Sequence, residues 1–173
     1  VLLGLSLCVS TVTGLFENVI SHLAIIVSFQ SLILGMSGNV GTQSLAVTIR
    51  VLMDEDLSGR QKWGLIFKEA RIGFCNGLML GLLAFAFIGT YVYVLKGRPL
   101  QYAFSVSACA GVALMLAMTI SSVVGTVVPM FFHKVKVDPA VASGPLISTV
   151  NDFVAVVTYY GLAWVLLIHV LHL

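Results

Sequence analysis

One carboxylate stands alone in the last long apolar run of this chain. The run reads DPAVASGPLISTVNDFVAVVTYYGLAWVLL over 138–167, and Asp152 is the only charged side chain between Asp138 and His169. Ser148, Thr149 and Asn151 lie within one helical turn of it, and Ser148, four residues back, shares its helix face. A second stretch, SGNVGTQSLAVTIR at 37–50, places Gly38, Asn39, Gly41, Thr42 and Gln43 where an apolar segment is expected. Together the two stretches offer oxygen ligands only: carboxylate, hydroxyl, amide and carbonyl. Neither contains Cys or His, which turns the chemistry away from zinc and copper. A hard cation that keeps its water fits better. Mg²⁺ usually retains several waters and takes one or two carboxylates.

Each stretch has a plainer explanation. Asn and Gln in an apolar helix also serve as hydrogen-bonding glue between helices. A buried Asp can be a protonated structural group. Against that, a carboxylate at a helix centre costs roughly 2.5–3.5 kcal/mol in a bilayer even on the lenient insertion scale. No Lys or Arg within the apolar stretches offers a partner for it. Asp152 is therefore a cation-ligand candidate. Two copies related by a two-fold axis would turn one carboxylate into two around a single site.

The elements that must position these residues follow from composition. Only 9% of the 173 residues are charged and 59% are hydrophobic, whereas a soluble domain is about 25% charged. The surface must face lipid. A net charge of +2 gives no reason to expect a nucleic-acid partner. Cys8, Cys75 and Cys109 are widely spaced in apolar surroundings and read as small hydrophobes. Val1 already lies inside an apolar run, so the chain reads as a piece of a longer protein.

Five continuous apolar segments, near 1–21, 22–50, 63–95, 101–132 and 138–171, predict five transmembrane helices. Continuous runs favour helices over the alternating strands of a barrel. The cluster 54–59 between the second and third reads as a solvated loop or a helix cap. Seven of the nine Lys and Arg fall in 50–71 and 133–138. That bias predicts these connections and the N-terminus on the cytoplasmic side, with the C-terminus outside. Gly73, Gly77 and Gly81 form a four-residue small stripe that predicts close helix packing. Asp152 lies fourteen residues beyond Asp138, roughly 20 Å along a helix, deep in the bilayer.

The segments LGMSGNVGTQSLAVTIR at 34–50 and DPAVASGPLISTVND at 138–152, in this order and at this separation, closely resemble the membrane domain of the MgtE family of magnesium channels. GLFE at 14–17 resembles the family's first span. The resemblance covers essentially the whole chain. It implies an all-α membrane protein with five transmembrane helices per subunit. It also implies a homodimer whose pore lies on the two-fold axis, lined by the second and fifth spans. Asp152 matches the family's pore aspartate, which binds hydrated Mg²⁺. Asn39 and the glycines of SGNVG match a polar, kinked part of the second span, while Ser148 and Val141 match pore-facing positions of the fifth. The expected pore lining is thus Gly38, Asn39, Gly41, Thr42, Val141, Gly144, Ser148 and Asn151. Gly144 departs from the pattern, since some members carry a polar amide there. The resemblance further implies an inner-membrane protein with cytosolic N and CBS regulatory domains elsewhere in the full-length chain.

Passive Mg²⁺ conduction is the leading functional reading. A carrier exchanging Mg²⁺ for Na⁺ or H⁺ stands as the alternative, weakened by the lack of a visible inverted repeat. A membrane scaffold with no transport is a third. No nucleophile–base pair, metalloprotease motif or phosphate loop suggests an enzyme.

Overall fold

The computed structural model describes residues 2–22, 24–54 and 57–170, and at some helix positions, Val141 among them, the backbone alone. Every element is helical. α1 spans Leu2–Leu15 and α2 Glu17–His22, followed by a 3₁₀ turn at Ala24–Ile26. α3 runs Val27–Asp54. α4 runs Gly59–Thr90 and continues as a π-helical turn through Leu95. α5 spans Leu100–Lys134. α6 spans Pro139–Leu162 and continues in π geometry to Val170.

Among the described residues, four helices are long and apolar enough to cross a bilayer: 24–53, 59–95, 100–134 and 146–168. The first apolar segment differs from expectation. The helix breaks at Phe16, whose N–H closes a tight turn onto the Thr13 carbonyl at 3.0 Å. Glu17 then opens a new helix, with its carboxylate in the first turn, where the helix dipole favours an acid. The 14 residues of α1 reach only about 21 Å, short of the ~30 Å hydrocarbon layer.

Local chemistry sets the other boundaries. Ser58 caps α4: its N–H donates to Gln61 Oε1 at 2.8 Å, and its hydroxyl accepts from Gln61 N–H, a capping box. The charged region before the third span is therefore largely helix, with Arg60, Lys68 and Arg71 exposed on it. Gly97, with φ of 61°, turns the chain between α4 and α5 in a conformation that favours glycine. After α5, Lys136 takes the left-handed conformation, with φ of 59°. The Val137 N–H returns to Phe132 O at 3.0 Å and the Lys136 N–H to His133 O at 3.1 Å. This is a Schellman ending, and Pro139 opens α6, where its missing N–H costs nothing.

α5 is the central post, packed against α4, α3 and α6. The glycine stripe on α4 does what its spacing predicts. A Cβ on Gly77 would sit 2.8 Å from Met115 Cα, and one on Gly81 would sit 2.7 Å from the Gly111 carbonyl oxygen. The two backbones touch, and any side chain there would force them apart. At the far end, Tyr159 and Tyr160 are fully buried on α6. The Tyr159 hydroxyl donates to Ile26 O at 2.8 Å, and the Tyr160 hydroxyl donates to Gln30 Oε1 at 2.6 Å. These bonds fasten α6 to the start of α3.

Candidate functional site

Below the tyrosine tether, α3 and α6 border an open groove of about 280 Å³, lined by Leu34, Gly35, Gly38, Asn39, Thr42, Ser148 and Asp152. Helix geometry explains the α3 contribution. At 100° per residue, Gly35, Gly38, Asn39 and Thr42 fall within an arc of about 100°. Gly35 and Gly38 have open space where a Cβ would point. From α6, Ser148 and Asp152 lie one turn apart on the same face. Residues predicted from two stretches more than a hundred positions apart thus meet in one groove.

The hydroxyl protons are already committed. Thr42 Oγ1 donates to the Gly38 and Asn39 carbonyls, at 3.0 and 2.9 Å. Ser148 Oγ donates to Gly144 O at 3.2 Å. A hydroxyl has one proton and two lone pairs. With the proton turned back into the helix, the oxygens of Thr42 and Ser148 act as acceptors. Among the described residues, Asp152 has no ion pair. The groove therefore combines one half-exposed carboxylate with hydroxyl acceptors and the Asn39 amide. Such a surface accepts hydrogen bonds from water held around a cation, and no cysteine or histidine joins it. No group of three or more Cys, His, Asp or Glu that could hold a metal directly occurs among the described residues.

Other predicted lining residues stand elsewhere. Gly144 lies on α6 four residues before Ser148, with open space at its Cα and its carbonyl occupied by Ser148. The side chain of Val141 is outside the described residues. Asn151 is fully buried and packs against Gly41, whose missing Cβ makes room for its amide. Among the described residues, neither polar atom of that amide has a hydrogen-bond partner. Asn151 lies one residue, or 100°, from Asp152, which turns it into the α3–α6 contact. Gly41 leaves the groove for a related reason. A three-residue step falls 60° short of a full turn, so two steps from Gly35 carry Gly41 about 120° away. It meets α5 as well: a Cβ on Gly125 would overlap the Gly41 carbonyl.

α3 also runs as unbroken α-helix through all these glycines. Of these glycines, Gly41 acts through close approach to Asn151 and Gly125, while Gly35 and Gly38 have open space at their Cα.

Sequence reasoning missed the opposite face of α3. Ser37, Val40, Ser44 and Thr48 are buried there, toward α4 and α5. Ser44 Oγ donates to Glu69 Oε2 at 2.9 Å, and Ser122 Oγ donates to the Glu69 carbonyl at 2.7 Å. Glu69 had the look of one more loop charge. Its four-residue spacing to Gly73, Gly77 and Gly81 was the available sign that it shares their buried stripe.

These features define a multi-pass, all-helical membrane protein with an oxygen-lined groove at the crossing of two membrane helices. Comparison with known proteins places it further. A family model described as a divalent cation transporter, MgtE, matches residues 30–162. The chain belongs to the MgtE family. It is 35% identical over 162 residues to the magnesium transporter MgtE of Bacillus subtilis, covering 94% of this chain and 34% of that protein. The Enterococcus faecalis magnesium transporter MgtE matches to the same extent. That of Thermus thermophilus is 32% identical over 153 residues, covering 88% of this chain and 32% of its own length. The chain thus spans about a third of the curated relatives it matches.

Proposed function

We propose that this chain is the membrane-embedded pore part of a Mg²⁺ transporter that moves hydrated Mg²⁺ passively across the inner membrane. The observation that carries the reading is the groove in which Asp152 and Ser148 of α6 face Gly38, Asn39 and Thr42 of α3. A bare Mg²⁺ demands near-ideal octahedral oxygen geometry and sheds water reluctantly. One carboxylate flanked by hydroxyl and amide acceptors cannot replace six waters. It can hold the waters of an ion that keeps them, with the carboxylate supplying attraction by charge.

The groove is open along one side, and a second copy of the chain would close it. A homodimer with the two grooves facing across a two-fold axis doubles the negative charge at one level of the bilayer. In this reading five spans cross the membrane, the short first segment being accommodated by local thinning of the bilayer. The N-terminus is cytoplasmic and the C-terminus extracytoplasmic, in keeping with the positive charges on the 50–71 and 133–138 sides. Regulatory N and CBS domains belong to the remainder of the full-length protein. The driving force is large: a divalent ion gains about 4.6 kcal/mol per 100 mV of membrane potential, twice the single-charge figure.

The test is Asp152→Asn in the full-length protein, reconstituted in liposomes with a Mg²⁺ indicator inside. The substitution keeps shape and removes charge. Mg²⁺ flux and preference over monovalent ions should both collapse. Flux and selectivity equal to the parent protein would remove the central residue of the proposal. Single-channel currents in the parent protein would support a pore, and slow saturable exchange would replace it with a carrier.

A further inference from the structure

The buried Glu69 carboxylate has no part in the groove, yet it touches the helix that forms one wall. It is 4% exposed, at a depth where an acid is costly unless bonded. Its Oε2 accepts from Ser44 Oγ at 2.9 Å, and its backbone carbonyl accepts from Ser122 Oγ at 2.7 Å. Three helices therefore meet at one residue: α3 through Ser44, α5 through Ser122, and α4 through Glu69 itself. Ser44 is two residues beyond Thr42, about 200° around α3. A bond at Ser44 thus holds α3 from behind, at nearly the level where Thr42 faces Asp152.

Gly41 and Gly125 let α3 and α5 approach backbone to backbone. Small residues permit close approach but resist rotation about the helix axis weakly, because they offer no interlocking side chain. A hydrogen bond between side chains is directional. At Ser44 such a bond resists rotation of α3.

We infer that Glu69 is a positioning residue for the cation groove: through its bond to Ser44 it fixes the rotation of α3 that aims Asn39 and Thr42 at Asp152. The inference rests on the proposed transport function. Without the bond, α3 turns slightly, the acceptors of one wall move out of register with the carboxylate, and the groove holds a hydrated ion less well.

The test measures Mg²⁺ flux against Mg²⁺ concentration in liposomes holding the full-length protein, for Ser44→Ala, Glu69→Ala, Glu69→Gln and Asp152→Asn. Ser44→Ala removes the donor with almost no change of volume and leaves the helices intact. It should raise the half-saturating Mg²⁺ concentration about tenfold, the equivalent of one lost hydrogen bond. Flux at saturating ion should change much less. Glu69→Ala should shift the half-saturation in the same direction. Glu69→Gln keeps an oxygen for the Ser44 hydroxyl and should recover most of the loss. A mere packing role would lower the amount of folded protein, and so the maximal flux, without moving half-saturation. Unchanged half-saturation in Ser44→Ala overturns the inference, as does a Glu69→Gln no better than Glu69→Ala. The Asp152→Asn arm separates the two readings. If that variant transports normally, the transport proposal itself falls. If it fails while Ser44→Ala behaves as the parent, only the positioning inference falls.

Discussion

Gly38 and Gly41 sit one turn apart in the middle of α3, and alanine at each should have opposite consequences. The helix-propensity gain on replacing glycine is the same at both, about 0.8–1.0 kcal/mol. At Gly38 a Cβ meets nothing within 4 Å and points into the groove. The gain is uncompensated, so Gly38→Ala should stabilise the protein while placing a methyl group in the proposed ion path. At Gly41 a Cβ would overlap the Asn151 amide nitrogen and lie 2.8 Å from its Cγ. Ordinary contact begins near 3.4 Å, so Asn151 or the α3–α6 spacing must give by at least 0.6 Å, the difference of those two distances. Overpacking of this kind costs about 1–3 kcal/mol. The propensity terms cancel between the two variants, leaving a gap of that size. Gly41→Ala should therefore be about 1–3 kcal/mol less stable than Gly38→Ala and melt below it.

Thermal unfolding of the purified full-length protein in detergent, followed by tryptophan fluorescence, reads the stability half of this prediction. Liposome Mg²⁺ flux reads the other: Gly38→Ala should be the more stable protein and the poorer transporter. A second substitution tests the mechanism. Asn151→Ala in the Gly41→Ala background removes both the overlap and an amide with no partner among the described residues. The pair should be non-additive, the double variant melting above the Gly41→Ala single. Equal melting temperatures for Gly38→Ala and Gly41→Ala would refute the assignment of the two glycines to different faces. Undiminished flux in Gly38→Ala would refute the assignment of the groove to the ion.

Tyr159→Phe leaves the buried Ile26 carbonyl without its 2.8 Å partner and should cost about 1–3 kcal/mol. The loss should show as a lower melting temperature with half-saturating Mg²⁺ unchanged, since the tether lies about two turns from Asp152. Gly81→Ala puts a Cβ 2.7 Å from a backbone oxygen that cannot rotate away and should destabilise by up to about 2 kcal/mol net of propensity. Gly64→Ala, on the same helix with open space at its Cα, should stabilise by up to about 1 kcal/mol. Thermal unfolding of the two variants side by side checks that pair.

Much of the architecture is legible because lipid imposes so few solutions. Continuous apolar runs must be helices, and charge, glycine and proline mark where α4, α5 and α6 begin and end. The partners Asp152 and Ser148 were readable from a four-residue step. What escaped reading depended on angle. Asn151 adjoins Asp152 in sequence and points into a different contact, because one residue is 100° of helix. Gly35, Gly38 and Gly41 look like one stripe and drift onto two faces. The break at Phe16 follows from a tight turn that hydropathy does not register. Glu69 was hidden by its company, since five Lys and Arg lie between 50 and 71 and make the whole region look like solvated loop. Periodicity with the downstream glycines would have separated it from them.

The two explanations of the polar stretch at 37–50 compete only if a helix has one polar face. α3 has two. Ser37, Ser44 and Thr48 are buried toward α4 and α5, where Ser44 bonds across to Glu69 of α4 and small residues let the helices approach. Gly38, Asn39 and Thr42 open onto the groove. Neither face could meet lipid without leaving polar groups unpaired. A helix polar on both sides is therefore confined to a position with protein behind it and water or a polar partner in front. That requirement, more than any single ligand, is what supports the proposal that α3 walls an aqueous path. Asp152 on the facing helix then supplies what α3 lacks, a negative charge at the same level.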